Sequence, residues 1–125
     1  MSRKLINFSE LKNVTFNAID NTDDIITFYC DNGDRYEMYH EQDCCEKVYI
    51  EDINGNLDDL LNSPILLAEE TTNNENPKNT YDDSFTWTFY KLATIKGYVD
   101  IRWYGESNGY YSESVEVYKI SKEKE

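Results

Sequence analysis

The most regular feature of the chain is a series of short runs in which apolar or β-branched residues alternate with polar ones. Such alternation is typical of strands with one buried side and one side facing solvent. Because turn residues separate successive runs, the pattern favours antiparallel pairing of neighbours. Eight strands are predicted, over residues 16–19, 24–30, 35–40, 47–51, 65–70, 84–94, 98–104 and 110–120.

Two local signals interrupt the strands. Asn32 and Gly33 lie between two strand-like runs, and this dipeptide favours a tight hairpin because both residues accept positive φ. Residues 56–62 (NLDDLLN) predict a short helix of about two turns, since asparagine caps helices well and the three leucines share one face at helical spacing. A serine and a proline at positions 63 and 64 would end this helix.

Seven or eight strands with one short helix predict a mainly β fold with some α+β character. We expect a single domain over residues 1–125, built as a curved antiparallel sheet or a partial barrel. Residues 71–83 are almost entirely polar and predict a long mobile loop rather than a domain boundary, because neither side has enough apolar residues to fold alone. Residues 121–125 predict a frayed tail.

Composition narrows the functional classes. The 125 residues include 25 acidic and 12 basic ones, for a net charge of −13, while aromatics reach 14%. Acidic disordered chains are poor in aromatics, so the balance favours a folded domain. No apolar run approaches the ~18 residues of a membrane helix, and no apolar signal core begins the sequence. The charge argues against nucleic-acid binding, and three cysteines without an export signal predict a reducing, cytoplasmic setting.

The candidate metal ligands are His40, Cys44 and Cys45, since imidazole and thiolate suit zinc. A structural zinc site needs four ligands, so Cys30 would have to be the fourth. Adjacent cysteines point in opposite directions in an extended chain, so both could bind only in a tight turn. Acidic neighbours also raise the pKa of a thiol, which disfavours a Cys-His nucleophile. We therefore predict no metal, no cofactor and no catalytic residues, and we read this segment as a polar turn.

A candidate binding surface lies near the end of the chain. Arginine suits bidentate phosphate contacts, aromatic rings stack on bases, and Ser and Asn supply adaptable hydrogen bonds. Gly105 and Gly109 are expected to let the backbone turn sharply within this segment. The predicted ligand-binding residues are Arg102, Trp103, Tyr104, Ser107, Asn108, Tyr110, Tyr111 and Ser112, together with Trp87 and Lys91 on the preceding strand.

The same aromatics have a structural interpretation. Pairing centred near the Lys96-Gly97 turn would place residues 88–90 opposite residues 103–104. Period two then puts Trp87, Phe89 and Lys91 on one face of the strand, and it separates Trp103 from Arg102. One aromatic set must fill the core, so a packing role for the tryptophans stays open beside the binding role.

Three segments resemble an uncharacterised family of short acidic proteins from tailed phages and bacterial prophages. They are residues 40–50 (HEQDCCEKVYI), 86–94 (TWTFYKLAT) and 101–112 (IRWYGESNGYYS). The likeness extends over about residues 28–115. It implies an accessory protein acting in the bacterial cytoplasm, and it brings no functional residues because the family has no assigned activity.

Two functions follow as expectations. The first is a non-enzymatic phage-type protein that sequesters a small anionic, nucleotide-like ligand and so blunts a bacterial defence response. The alternative is an acidic inhibitor that docks on a host defence protein, either as a DNA mimic or through exposed aromatics. Neither requires nucleic acid or a membrane, and homo-oligomerisation through sheet edges stays open.

Overall fold

The computed structural model describes residues 2–22, 24–40, 46–73, 84–107 and 113–121. Over these ranges the chain forms nine strands and two short 3-10 helices. The strands are β1 (Ser2–Ile6), β2 (Ala18–Asn21), β3 (Ile25–Tyr29), β4 (Arg35–Tyr39), β5 (Glu46–Asn54), β6 (Leu67–Asn73), β7 (Ser84–Thr94), β8 (Gly97–Ser107) and β9 (Glu116–Ser121). The 3-10 helices are Phe8–Leu11 and Leu57–Leu60.

The strands form two antiparallel sheets. The five-stranded sheet has the order β1-β9-β4-β3-β2, and the four-stranded sheet has the order β5-β8-β7-β6. The predicted mainly β fold is confirmed, and the sheets are not closed into a barrel. The prediction missed β1, whose strand partner within the described ranges is β9, near the other end of the sequence.

The β7–β8 hairpin provides the frame of the candidate site. The predicted pairing is right for Thr88, which lies opposite Trp103, but Phe89 and Tyr90 lie opposite Arg102 and Ile101, and it is Trp87 that lies opposite Tyr104. Alternation along β7 buries Tyr90 and Leu92 while their odd-numbered neighbours face the other way. This hairpin therefore has a core-facing side and an outer side, and cross-strand partners share the same side.

The predicted helix is right in place but wrong in length. The observed 3-10 helix covers Leu57–Leu60, and the side chain of Asn56 accepts a hydrogen bond of 3.0 Å from the backbone N–H of Asp58. The helix stops because Leu61 forms a bridge with Phe16, and Asn62 adopts a φ of 62°. Pairing with a distant segment thus replaces the second helical turn.

One hydrophobic cluster fills the space between the sheets. It takes Phe28 and Met38 from the five-stranded sheet, Leu92 and Trp103 from the four-stranded sheet, and Phe16 from the chain before β2. The rings of Phe16 and Phe28 lie 4.8 Å apart. Fully burying a side chain of this size contributes about 1.5–3 kcal/mol, so this shared core holds the two sheets together.

The polar segments differ in part from expectation. Strand β6 continues to Asn73, so residues 71–73 of the predicted loop belong to a strand. Strand β9 begins at Glu116, later than the predicted start at position 110. Residues 74–83, 108–112 and 122–125, which include most of the predicted loop and tail, lie outside the described residues. Within the part of the chain that is described, no helix is long and apolar enough to cross a membrane.

Candidate functional site

The outer face of the four-stranded sheet carries the candidate site. Strand pairing arranges its side chains in rows that cross all four strands. In each row the Cβ atoms of directly opposed residues lie within about 5.5 Å of each other. The two rows that form the site are Thr71-Phe89-Arg102-Asp52 and Glu69-Lys91-Asp100-Asn54.

These two rows line a groove of about 410 Å³. Phe89 is 37% exposed within it, and it is the exposed large apolar side chain that lines the groove. Three carboxylates and two cations surround this ring, so the lining is mixed in sign with an excess of negative charge. The charged lining residues are Asp52, Glu69, Asp100, Lys91 and Arg102.

Arg102 is held by carboxylates of its own chain. Its Nη2 and Nε lie 3.0 and 3.3 Å from Oε2 of Glu51, and Nη2 lies 3.8 Å from Oδ2 of Asp52. A register shift between Ile50 and Asp52 lets these two successive acidic residues approach the same guanidinium. The guanidinium also lies 5.4 Å above the ring of Trp87. A phosphate could therefore reach Arg102 only in competition with Glu51.

Trp103 and Tyr104 are buried, which corrects the prediction that their rings stack on a ligand. Trp103 is 0% exposed on the core side of β8, and among the described residues its Nε1 has no hydrogen-bond partner. Tyr104 is on the outer side but only 1% exposed, because Trp87 and Phe85 cover it at ring distances of 4.6 and 6.2 Å. Both rings therefore pack within the protein, which is the structural interpretation of these aromatics given above.

Trp87 and Lys91 lie on the outer face with Arg102. Trp87 is half-buried and stacks on Phe89 with ring centres 6.4 Å apart, while Lys91 is exposed. These three residues are the part of the predicted set that the structure brings together. Asn108, Tyr110, Tyr111 and Ser112 lie outside the described residues.

Ser107 is separated from this group by the sheet. Its Oγ donates to Oε2 of Glu113 at 2.5 Å, and the hydroxyl of Thr86 donates to the other carboxylate oxygen at 2.9 Å. Thr86 pairs with Gly105 on the core side, so Ser107 helps to fasten the chain that crosses from β8 to β9. This placement corrects its grouping with Arg102.

Gly105 also has a different role from the predicted one. It lies within β8 opposite Val48 and Thr86, so no sharp turn begins there. A Cβ at this position would stand 2.6 Å from the carbonyl oxygen of Glu113 and 3.2 Å from its Cα. The glycine is therefore needed because the crossing segment, residues 113–115, lies directly on its Cα. Gly109 lies outside the described residues.

His40 is buried in a hydrogen-bonded position. Its Nδ1 lies 2.7 Å from the carbonyl oxygen of Ser114, and its Nε2 lies 3.1 Å from Oε1 of Glu46, whose side chain is 1% exposed. A carbonyl oxygen only accepts, so Nδ1 must carry a proton. With both nitrogens engaged, neither is free to bind a metal in this arrangement. The ring instead joins the end of β4, the start of β5 and the crossing segment.

Of the other metal candidates, only Cys30 lies within the described residues. Cys44 and Cys45 lie outside the described residues, and the described ranges contain no group of three or more metal-ligating side chains. Cys30 is a half-buried free thiol packed against the core, as expected for a small hydrophobe. Burial, and then the charge of Asp34, raise the pKa of this thiol, so it is poorly suited to nucleophilic chemistry.

The sequence analysis did not predict the acidic residues of the groove lining, Asp52, Glu69 and Asp100. Period two placed Phe89 and Lys91 on one face, but Asp52 and Glu69 belong to strands whose partners were unassigned. Asp100 was missed too, because the predicted pairing of residues 88–90 with residues 103–104 does not bring it opposite Lys91, as the structure does. The missing information was the exact hairpin register and which strands flank the hairpin.

Comparison with known proteins gives one match. The family model described as "Domain of unknown function (DUF7448)" matches residues 9–117. No curated protein and no solved structure matches the chain significantly. The matched range contains all of β2 to β8, and therefore every residue that lines the groove.

Proposed function

We propose that this chain, which belongs to the DUF7448 family of domains of unknown function, is a non-enzymatic binding protein that docks on a partner protein. The docking surface is the groove on the outer face of the four-stranded sheet. The observation that carries the proposal is the partly exposed ring of Phe89 within a lining whose charged side chains are three carboxylates and two cations. Binding alone requires no nucleophile, metal or general base.

The aromatic pair supports a protein partner. Phe89 stacks on Trp87, which in turn covers Tyr104, so the exposed ring rests on a rigid base. An aromatic side chain that is already fixed loses little conformational entropy on binding and can act as a hot spot. Charged residues at the rim of such a patch are typical of protein interfaces.

The charge of the chain supports a basic partner. A net charge of −13 attracts a positively charged surface and accelerates encounter with it. The resemblance to phage and prophage proteins supports a bacterial host cell as the proposed setting and a defence protein as the proposed partner. The acidic protein would occlude a basic surface of that partner, and DNA mimicry is one form that such occlusion takes.

A small anionic, nucleotide-like ligand is the second candidate. In its favour, Lys91 and Arg102 line the same groove as an exposed aromatic ring, and about 410 Å³ falls within the usual size range of small-molecule sites. Against it, the lining carboxylates repel phosphate and Glu51 already pairs with Arg102. The protein-docking function therefore has the stronger geometric support.

Affinity capture from bacterial lysate tests the proposal. The immobilised full chain should retain a discrete protein, and retention should fall steeply with added salt because charge steers the encounter. Phe89→Ser should abolish retention by placing a hydroxyl where the aromatic contact is made. Ile95→Ser is the matched control, because Ile95 is an exposed apolar residue outside the groove lining.

Two results would contradict the docking function. The first is that Phe89→Ser retains the same protein as the unmodified chain. The second is that no protein is retained while native mass spectrometry of the purified chain detects a bound small molecule lost in Lys91→Ala. That outcome would instead favour the anionic-ligand function.

A further inference from the structure

We propose that the groove binds the guanidinium group of an arginine side chain presented by the partner protein. This inference rests on the proposed function and names the chemistry that the groove recognises. It is carried by charge complementarity at an aromatic surface, and one residue of the groove lining, Arg102, is itself a guanidinium held by a carboxylate and an aromatic ring.

Arg102 shows how this sheet holds a guanidinium. The group lies over the Trp87 ring at 5.4 Å while Glu51 pairs with it at 3.0 Å. An aromatic face and a carboxylate thus contact the same cation from different sides. This combination suits a planar delocalised cation, which stacks on a ring and still donates hydrogen bonds from its edge.

The neighbouring half of the groove repeats these components. Phe89 offers the aromatic face, and Glu69 and Asp100 stand diagonally on either side of it, two residues along from its partners Thr71 and Arg102. Diagonal neighbours in a sheet lie about 7–8 Å apart, so a cation resting on the ring can reach both carboxylates.

These carboxylates remain available. Among the described residues, neither Glu69 nor Asp100 has a side-chain hydrogen bond or an ion pair within 4.0 Å, although Lys91 stands between them. Asp52 contacts Arg102 only at 3.8 Å, and its side chain is 56% exposed. Within the described ranges, therefore, no cation lies within 4.0 Å of the Glu69 and Asp100 carboxylates.

Arginine fits this arrangement better than lysine. A guanidinium stacks flat on a ring and pairs with carboxylates through two parallel N–H groups. An ammonium is more strongly hydrated and loses more on leaving water for a half-open groove. Lys91 and Arg102 reduce the attraction, but Glu51, Asp52, Glu69 and Asp100 outnumber them.

Nuclear magnetic resonance titration of the isotope-labelled full chain tests the inference. The probe is N-acetyl-arginine amide, and the matched control is N-acetyl-citrulline amide, which has nearly the same shape without the charge. The arginine probe should shift the backbone amides of residues 89–91 and 100–102, and the citrulline probe should not. Asp100→Asn should weaken the response by roughly two- to fivefold, Phe89→Ala should remove it, and Ile95→Ala should leave it intact.

The outcomes separate this inference from the proposed function. If neither probe shifts the groove amides, or both shift them equally, arginine recognition is wrong, while a protein captured in a Phe89-dependent manner would still support docking. If adenosine monophosphate shifts these amides and the arginine probe does not, the groove is an anion site and the inference is overturned. If capture and titration both fail, both proposals fall.

Discussion

Replacing Gly105 by alanine should destabilise the fold by pushing the crossing segment away from β8. The added Cβ would stand 2.6 Å from the carbonyl oxygen of Glu113 and 3.0 Å from its Cβ. The three nearest atoms are the carbonyl oxygen, Cβ and Cα of Glu113. None of them can rotate away as the end of a long side chain would. The segment must therefore move as a whole.

The magnitude follows from three contributions. Overpacking a tight contact costs about 1–3 kcal/mol. Displacement also weakens the hydrogen bonds that Glu113 accepts from Thr86 and Ser107, each worth about 1 kcal/mol when intact. Alanine recovers about 0.5–1 kcal/mol by restricting the unfolded chain. We expect a net loss of about 2 kcal/mol, which corresponds to a Tm lower by roughly 8 °C.

Urea unfolding followed by tryptophan fluorescence measures this loss. Thr86→Val is the matched comparison, because it removes one hydrogen bond to Glu113 and adds no atom against the segment; it should cost about 1 kcal/mol. The m-value should stay unchanged in both variants, since the surface exposed on unfolding is the same. If Gly105→Ala unfolds at the midpoint of the unmodified protein, or costs less than Thr86→Val, the close approach does not constrain the fold.

Two further substitutions test the buried polar groups. His40→Ala should lower the free energy of unfolding by about 2–4 kcal/mol, because the buried Glu46 carboxyl group loses one hydrogen-bond partner and the Ser114 carbonyl oxygen loses its donor; a loss below about 1 kcal/mol in urea unfolding would contradict this. Burial, with a hydrogen bond to Glu70, raises the pKa of Tyr90, so the folded state keeps a proton that the unfolded chain releases above its ordinary value of 10.0. Stability is therefore complete below that pH and falls above it, by about 1.4 kcal/mol per pH unit for this group. Tyr90→Phe should reduce the slope of the free energy of unfolding against pH, between pH 10 and 11.5, by about 1.4 kcal/mol per pH unit. An unchanged slope would show that Tyr90 is not responsible.

Local pairing explains which parts of the fold were predictable from sequence. The β7–β8 hairpin has its strands next to each other along the chain, so alternation predicts which residues share a face, although the predicted pairing was right only for Thr88 and Trp103. Strand β1 has no such signal, because Leu5 finds its partner at Tyr118. The second turn of the predicted helix failed for the same reason, since Leu61 pairs with Phe16.

The candidate site was predictable only as far as that hairpin extends. Alternation placed Trp87 and Lys91 on one face of the strand, but it could not show that this face is the outer one or that its aromatic side chains bury Tyr104. The carboxylates around Arg102 depend on β5, which pairs with β8 across a long stretch of sequence. A lone arginine beside aromatics therefore suggested a phosphate site, when its closest partner is Glu51.

The place of β9 in the five-stranded sheet has a consequence for biosynthesis. This strand lies between β1 and β4, with Ile120 paired to both Arg3 and Arg35. A ribosome therefore releases β1 and β4 long before the strand that joins them emerges, and until then both expose unsatisfied backbone edges. Late pairing of distant strands slows folding and leaves the nascent chain prone to aggregation. We therefore expect the yield of folded protein to be higher when it is produced at low temperature or together with chaperones.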